Sequence, residues 1–393
     1  MDLSVAVTVL SAVWALSSLS ATVATAAYRA QLRPLRPIPA PGRVAVILPV
    51  RSPAPQLTAA LNALQAQNWP NLRLLVVLES EADPAFAVVR AAASADPRVV
   101  PVLAGESSAC GQKVHNLLAG LGHLDQDVDI VVFVDADAIP PPDFLRILLR
   151  PILVGRTRVS SGYRVLVPEP GPLGALLAAI ADHAVATFPR LPSRMILWGG
   201  AIGLRRDAAE GLDLSRTWKG ALSDDLTLTR RARLAGERMH GVHAALVPTP
   251  VCLLRSAEAF RFGVRQLRLL RLHLPLEWGM VGLVSLLPAI AAATVATGHP
   301  AALAACLLAF TCLQLRLSLR QRIFSQVLPL AATVPVARAV RLARLLFPLA
   351  HLMRLACWLA SGFGRRIAWA GIDYEVAGIN CVRILARRPP RER

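Results

Sequence analysis

Charged side chains are scarce in this chain, and some kinds are almost missing. Asp, Glu, Lys and Arg make up 17% of the 393 residues, whereas hydrophobic residues make up 54%. Lysine occurs only at Lys113 and Lys219, and from Trp278 to the end there are 14 arginines but three acidic residues. This composition argues against an ordinary soluble enzyme and is typical of a protein with membrane segments.

Paired cysteine motifs are also missing. The six cysteines form no C-x-x-C pair, and no histidine stands at zinc-ligand spacing from them. The pattern argues against a zinc site and a disulfide framework. We therefore expect free thiols in a reducing compartment.

The positive charge needs a partner. The net charge is +18 and the pI is near 11.3, values that would suit nucleic-acid binding. The arginines, however, flank or interrupt apolar runs, as in segments that contact the cytoplasmic lipid surface. We therefore expect the lipid bilayer, and not nucleic acid, to be the partner.

The N-terminal segment lacks charge altogether between residues 3 and 28. Its 26 residues are enough to cross a hydrocarbon core of about 30 Å. Arginines follow at 29, 33, 36 and 43, so the positive-inside rule places the N-terminus outside and the next segment in the cytoplasm. A signal peptide is the alternative, but it would carry positive charge before its apolar core. We assign residues 1–28 to a transmembrane anchor and residues 29–42 to a Pro/Arg-rich linker.

Residues 43–259 have the pattern of an α/β domain. The runs "RVAVILPV", "NLRLLVVLES" and "VDIVVFVDAD" are continuous and rich in β-branched residues, as in strands buried on both faces. Segments with helical spacing, such as "QLTAALNALQAQNWP", separate them. This alternation predicts a mostly parallel, Rossmann-like sheet, in which ligands bind at the carboxyl ends of the strands.

Two more segments follow the α/β domain. Residues 260–277 are basic and amphipathic, which predicts a helix in the membrane interface. Residues 278–315 carry no Asp, Glu, Lys or Arg. Their number suits two membrane helices with a turn at residues 298–300.

The next segment allows two interpretations. Residues 323–337 are uncharged but include two prolines, and residues 342–363 are interrupted by Arg344, His351 and Arg354. They form either a short hairpin through the membrane or, in part, an interfacial helix. We assign residues 278–364 to transmembrane or interfacial helices and residues 365–393 to a basic cytoplasmic tail. A cytoplasmic tail requires an even number of crossings after the domain.

The clearest chemical motif is Asp135-Ala136-Asp137, directly after "VVFV". Like charges at this spacing repel each other. Mg²⁺ or Mn²⁺ would remove the repulsion, because these cations prefer oxygen ligands and share them with substrate phosphates. The alternative is an ordinary turn at a strand end. The buried strand before it favours the metal site.

Two further motifs carry candidate residues. Asp224-Asp225 precedes a helical pattern and is either a favourable acidic first turn or a general base. The arginines in "FRFGVRQLRLLRLH" suit an interfacial helix and could also bind a diphosphate.

Taken in order, the motifs resemble those of a known family. They are an acid after the second strand, K-V-x-N-L, D-x-D, G-G-x-x-x-L-R-R, S-D-D-L, and R-Q before a membrane span. This set is similar to processive-type and ceramide-glucosyltransferase-like inverting glycosyltransferases, membrane-bound members of family 2 with a GT-A fold. The resemblance covers roughly residues 43–280, together with "WAGIDYEV" at residues 369–376. Ala370 replaces the usual arginine there.

The resemblance implies roles for individual residues. Glu79 contacts the nucleotide, Lys113 and Asn116 lie near it, and Asp135 and Asp137 bind the metal and the sugar nucleotide. Asp225 is implied as the catalytic base, and we expect Asp224 to support it. The acceptor-side candidates are Trp198, Gly199, Gly200 and Trp369.

The family's Q/R-x-x-R-W element is matched only in part. Arg265 and Arg268 have the right spacing, but Leu269 stands where tryptophan is expected. Gln266 and Arg271 offer a second alignment, so the arginine that binds the diphosphate is left open among the three.

The resemblance and the membrane segments together predict a multi-pass inner-membrane enzyme. A cytosolic GT-A domain would use a nucleotide-sugar donor, in particular a UDP-sugar, with Mg²⁺ or Mn²⁺. The acceptor would be a sphingoid, hopanoid or similar membrane lipid. The alternatives are a processive polysaccharide synthase and a non-catalytic membrane scaffold.

Overall fold

The computed structural model describes residues 3–32, 42–52, 54–191, 194–251, 255–296 and 298–389. Most of the expected linker, Cys252 and the last four residues lie outside these ranges. The chain divides into two compact units. The sheet unit comprises Pro34–Val165, Arg190–Pro250 and Gly364–Arg393, and the helical unit comprises Met1–Arg33, Leu166–Pro189 and Val251–Phe363.

A seven-stranded sheet forms the centre of the sheet unit, in the order β3-β2-β1-β4-β6-β5-β7. The strands are β1 Arg43–Pro49, β2 Leu72–Leu78, β3 Val99–Leu103, β4 Val128–Val134, β5 Val159–Pro168, β6 Ala201–Arg205 and β7 Met239–Val251. Strands β1 to β4 pair in parallel, and β6 runs antiparallel to β4 and β5. The predicted, mostly parallel sheet is confirmed.

Helices cover both faces of this sheet. They are α2 Leu57–Gln65, α3 Ala85–Ala95, α4 Gln112–Gly122, α5 Phe144–Leu153, α7 Arg206–Gly211, α8 Leu214–Trp218 and α9 Asp224–Leu234. Strands β1, β2 and β4 contribute side chains to a hydrophobic core on each face, which explains their unbroken apolar runs. Gly120 lets α4 approach β1 closely, since a Cβ there would lie 2.5 Å from Ile47 Cγ2.

The expected basic tail is a folded part of the sheet unit. Residues 366–387 form an antiparallel sheet of β8 Arg366–Trp369, β9 Ile372–Gly378 and β10 Cys381–Arg387. Alternate residues of β9, including Ile372, Tyr374 and Val376, are buried. The segment is therefore anchored by its apolar face, which the count of its arginines did not reveal.

The helical unit contains α1 Leu3–Ala30, α6 Leu173–Ala186, α10 Ser256–His273, α11 Pro275–Val295, α12 Pro300–Val327 and α13 Leu330–Ser361. Within the described part of the chain, α1, α11, α12 and α13 are long and apolar enough to cross a membrane. The predicted turn near residues 298–300 is confirmed, with Gly298 at φ +70°.

The helical unit departs from the expected boundaries in three places. Helix α6 belongs to it, although its sequence lies inside the expected residues 43–259. Helix α10 covers residues 256–273 instead of 260–277. Residues 330–361 form one helix instead of a hairpin, because α12 continues through its charged C-terminal half to Val327.

Candidate active site

The carboxyl end of β4 carries the Asp135-Ala136-Asp137 motif. Strand β4 ends at Val134, and a turn closed by the Ala138 N–H and the Asp135 carbonyl oxygen, 3.1 Å apart, follows at once. The turn leaves Asp135 partly exposed and Asp137 exposed. Both carboxylates are thus available at the edge where ligands of such sheets bind.

Lys113 joins this motif to the start of α9. The lysine is the second residue of α4, and its Nζ lies 2.7 Å from Asp135 Oδ1 and 3.1 Å from Asp224 Oδ2. Burial alone would lower its pKa, but Asp135, Asp224 and Asp225 outweigh burial and hold the pKa above its ordinary value. Lys113 is therefore a fixed positive charge among three carboxylates.

Asp224 and Asp225 occupy different environments at the N-terminus of α9. Asp224 is buried, and burial followed by the charge of Asp225 raises its pKa to about 6, against the opposing effect of Lys113. Asp225 is partly exposed. Its Oδ1 accepts from Ser223 Oγ at 2.6 Å and from the Leu226 N–H at 2.7 Å, and its Oδ2 accepts from the Gly199 N–H at 3.2 Å. Asp225 is thus held in one orientation while remaining accessible.

Gly199 and Gly200 bring the backbone close to these carboxylates. A Cβ on Gly199 would lie 2.3 Å from Asp224 Oδ2, and one on Gly200 would lie 2.7 Å from Asp135 Oδ2. Trp198 is buried and packs against Tyr163, with ring centroids 5.7 Å apart. A side chain at Gly199 would displace the ion pair of Lys113 and Asp224, and one at Gly200 would meet the Trp198 ring before it met Asp135.

The D-x-D carboxylates suit a divalent cation. Among the described residues, no group of three His, Cys, Asp or Glu side chains is arranged for a metal ion. Asp135 and Asp137 offer oxygen ligands only, which suits Mg²⁺ or Mn²⁺ sharing its remaining positions with phosphates and water. Desolvation and the charge of Asp135 raise the pKa of Asp137 above its ordinary value. A bound cation would relieve this repulsion.

Glu79 lies at the end of β2 in a second cluster. Its Oε2 accepts from Arg51 Nε at 3.1 Å and from Arg387 Nη1 at 3.3 Å. The side-chain amide of Asn116 donates to the carbonyl oxygens of Val50 and Val77, at 3.2 and 3.1 Å. Asn116 thereby fixes the ends of β1 and β2.

The C-terminal sheet takes part in this second cluster. Tyr374 Oη accepts from the Gln112 N–H at 3.2 Å, and the carbonyl oxygen of Ala370, next to Trp369, accepts from Arg51. Sequence reasoning did not find Arg51 or Arg387. The position of Arg51 after β1 is the same strand-end signal that identified Glu79, whereas no local signal points to Arg387.

The predicted diphosphate ligands lie on α10 in the helical unit. The guanidinium group of Arg265 stacks over Phe262 at 5.4 Å. Arg268 Nη2 donates to the Ala360 carbonyl oxygen at 3.3 Å, and Arg271 Nη1 donates to that of Gly362. Gln266 lies on the same helix. Arg268 and Arg271 therefore bind the C-terminal end of α13, a role the sequence did not predict.

Comparison with solved structures gives distant similarities. A mannosyltransferase from Pyrobaculum calidifontis, in complex with GDP-Man and Mn²⁺, is 19% identical over 91% of this chain and 97% of its own, with a TM-score of 0.47. A glucosyl-3-phosphoglycerate synthase from Mycobacterium tuberculosis is 18% identical over 57% of this chain and 72% of its own, with a TM-score of 0.31.

Comparison with sequences is more decisive. No curated protein matches the chain. The sequence model of glycosyl transferase family 21 matches residues 7–379, which is nearly the whole chain. The chain therefore belongs to glycosyl transferase family 21.

Proposed function

We propose that this glycosyltransferase moves one sugar from a UDP-sugar to a hydroxyl group of a membrane lipid, with inversion at the anomeric carbon. The observation that carries the proposal is the contrast between the two neighbouring carboxylates of α9. Asp224 is buried and paired with Lys113, whereas Asp225 is accessible and held by three hydrogen bonds. One of the pair is placed for support and the other for contact with a substrate.

In the proposed reaction Asp225 takes the proton of the acceptor hydroxyl group. The acceptor oxygen forms a bond to the anomeric carbon as the bond from that carbon to the diphosphate oxygen breaks. The electron pair leaves with the diphosphate. A single displacement of this kind converts an α-linked donor into a β-glycoside.

Asp135 and Asp137 would hold the cation, whose chemistry is to stabilise negative charge on a leaving diphosphate. Lys113 would hold Asp135 beside Asp137 and hold Asp224 beside Asp225. Among the polar residues of α10, we assign the binding of the diphosphate to Arg271. Arg265, Gln266 and Arg268 are the alternatives on the same helix. Glu79 would contact the nucleoside, positioned by Arg51 and Arg387. The acceptor would approach from the side of the Gly199-Gly200 turn.

A lipid acceptor is supported by the membrane helices that enclose the sheet unit in sequence. The Arg cluster after α1 supports a cytoplasmic location for the sheet unit, the compartment in which nucleotide sugars are made. The enzyme would then act at the inner face of the cell membrane. Sphingoid, hopanoid and polyprenyl lipids are the candidate acceptors.

The test is sugar transfer by the purified full-length protein. It is incubated with Mn²⁺, a panel of UDP-sugars and total membrane lipid, and the products are identified by mass spectrometry. We expect a lipid that has gained one hexose-type residue, with a β-linkage by NMR. A polymeric product would support the processive alternative, and donor hydrolysis without a glycolipid would contradict a lipid acceptor.

A further inference from the structure

Helix α13 is long enough to cross a membrane, yet both of its ends lie at the same end of the helical unit. Its 32 residues extend over about 48 Å. From the contacts of these ends we infer that α13 does not cross the bilayer: it enters beside α11 and α12 and returns to the side of the sheet unit. This inference does not depend on the proposed reaction.

Helices α1 and α12 run parallel to each other. Ser4 Oγ of α1 lies 3.1 Å from Nε2 of His299, which precedes α12. At the other end Gln326 Nε2 donates to the Leu32 carbonyl oxygen at 3.1 Å. The N-termini of both helices are therefore at one end of the unit, and their C-termini are at the other.

Helix α11 runs antiparallel to α12. Four residues, 296–299, connect the two helices, and the helices pack against each other. Helices joined by such a short connection form a hairpin. The start of α11 at Pro275 and the end of α12 at Val327 consequently lie at the same end, which is also the end where α1 finishes.

Helix α13 begins and ends at this end of the hairpin. Only two residues separate its start, Leu330, from the end of α12. Near its C-terminus, Ser361 Oγ accepts from Nε1 of Trp278, three residues after the start of α11, at 2.8 Å, and Trp358 stacks on the same ring with centroids 5.0 Å apart. A helix that crossed the membrane would separate its ends by about 30 Å along the membrane normal.

The course of the chain gives the same answer independently. The chain enters the sheet unit after α1 and again at Gly364, directly after α13. The C-terminal sheet is bound within that unit, where Asn380 Nδ2 donates to the carbonyl oxygens of Thr217 and Lys219, both at 2.8 Å. The helices α11 to α13 must therefore return the chain to the side from which it left. Two crossings, by α11 and α12, satisfy this requirement, and three do not.

The exposed surface of α13 changes along the helix. Its exposed stripe begins with Arg338 and Arg341 and continues with Leu345, Leu349 and Leu352, at helical spacing. Arginine suits the lipid headgroups and leucine suits the acyl chains, so this stripe fits a helix that begins at the headgroups and leads into the bilayer.

Its opposite side is fixed to the hairpin. Arg344 Nη1 donates to Gln314 Oε1 of α12 at 2.7 Å, and His351 Nε2 lies 2.9 Å from the Ser285 carbonyl oxygen of α11. Helix α6, about 21 Å long and too short to cross, also packs against α13. Both ends of α6 lead back to the sheet unit. The described part of the chain thus crosses the membrane three times, through α1, α11 and α12.

The test uses single cysteines in full-length protein reconstituted into vesicles. In a cysteine-free background that retains sugar transfer, Gly298→Cys and Arg341→Cys are labelled with a charged, impermeant maleimide, and a variant that keeps only the native, exposed Cys381 marks the side of the sheet unit. We expect Arg341→Cys to react from the side that labels Cys381, and Gly298→Cys only from the opposite side. Labelling of Gly298→Cys and of Cys381 from the same side of the membrane would overturn the inference.

A second measurement avoids removing the cysteines. Epitope tags are placed at Gly298 and after Arg393 in the otherwise unchanged chain, and each is detected in sealed membrane vesicles of known orientation. Three crossings place the two tags on opposite sides. Tags on the same side would mean that α13 crosses the membrane.

Discussion

Lys113 Nζ lies 2.7 Å from Asp135 Oδ1, so the only lysine of α4 is paired with the first carboxylate of the D-x-D motif. The same ammonium group reaches Asp224 at the start of α9. Three separate segments of the chain are thus joined through one ammonium group.

Replacing Lys113 with methionine should leave Asp135 and Asp224 without their cation. Removing one partner of a buried ion pair costs about 3–5 kcal/mol. We expect Lys113→Met to lower the thermal unfolding temperature and to abolish turnover. Lys219→Met, at the other and exposed lysine, is the matched control and should change neither. The double variant Lys113→Met/Asp224→Asn should recover stability but not turnover, and full activity of Lys113→Met would contradict the assigned role.

Asp137→Ala should abolish turnover and weaken donor binding, because the cation would lose one of its two protein ligands. Removing divalent metal with EDTA should have the same effect on the wild type, and Mn²⁺ should restore it. Asp127→Ala, at an exposed carboxylate paired with Arg43, serves as the control and should keep the metal dependence. Full activity after verified metal removal would refute the metal site.

Turnover should fall as the pH drops below about 6. The pKa of Asp224 is raised to about 6 by burial and by Asp225, so its carboxylate is ionised above that pH and protonated below it. The protonated form loses its ion pair with Lys113. With metal and donor saturating, turnover should decrease about tenfold per pH unit on the acid side. Asp224→Asn should have a lower turnover than the wild type, and that turnover should not decrease further between pH 7 and 5. A wild-type turnover that is constant between pH 5 and 7 would contradict the role of Asp224.

The α10 arginines should differ in their tolerance of lysine. A guanidinium group binds diphosphate oxygens with two parallel donors, which an ammonium group cannot do. Arg271→Lys should therefore lower turnover by about tenfold or more and raise the donor KM. Arg265→Lys should have a milder effect, since Arg265 stacks on Phe262. If Arg271→Lys lowers only the unfolding temperature and leaves the donor KM unchanged, its contact with Gly362 is structural and the diphosphate is bound elsewhere.

The strand-end part of the site could be predicted from the sequence, because local pattern defines it. The apolar run 131–134 predicted β4, and the carboxylates at its end followed from the geometry of parallel sheets. The order of motifs then connected Lys113 and Asp225 with this edge. The structure brings these residues together through Lys113, which spacing alone did not indicate.

The C-terminal contribution could not be predicted in this way. Arg387 reaches Glu79 from 308 positions away in the sequence. No periodicity connects such residues, and the arginines of the segment suggested a solvated tail. Helix α13 was ambiguous for another reason, since hydropathy and length do not distinguish a helix that crosses a membrane from one that enters it and returns on the same side.

The most direct test of the account is a comparison of Asp225→Asn with Asp224→Asn in the same transfer assay, with donor affinity measured separately by calorimetry. Loss of a positioned base typically costs about 10²–10⁴-fold in rate. We predict such a loss for Asp225→Asn with donor affinity within a few-fold of the wild type, and a smaller loss of turnover for Asp224→Asn. An inactive Asp224→Asn beside an Asp225→Asn of near-normal turnover would contradict the account and make Asp224 the base.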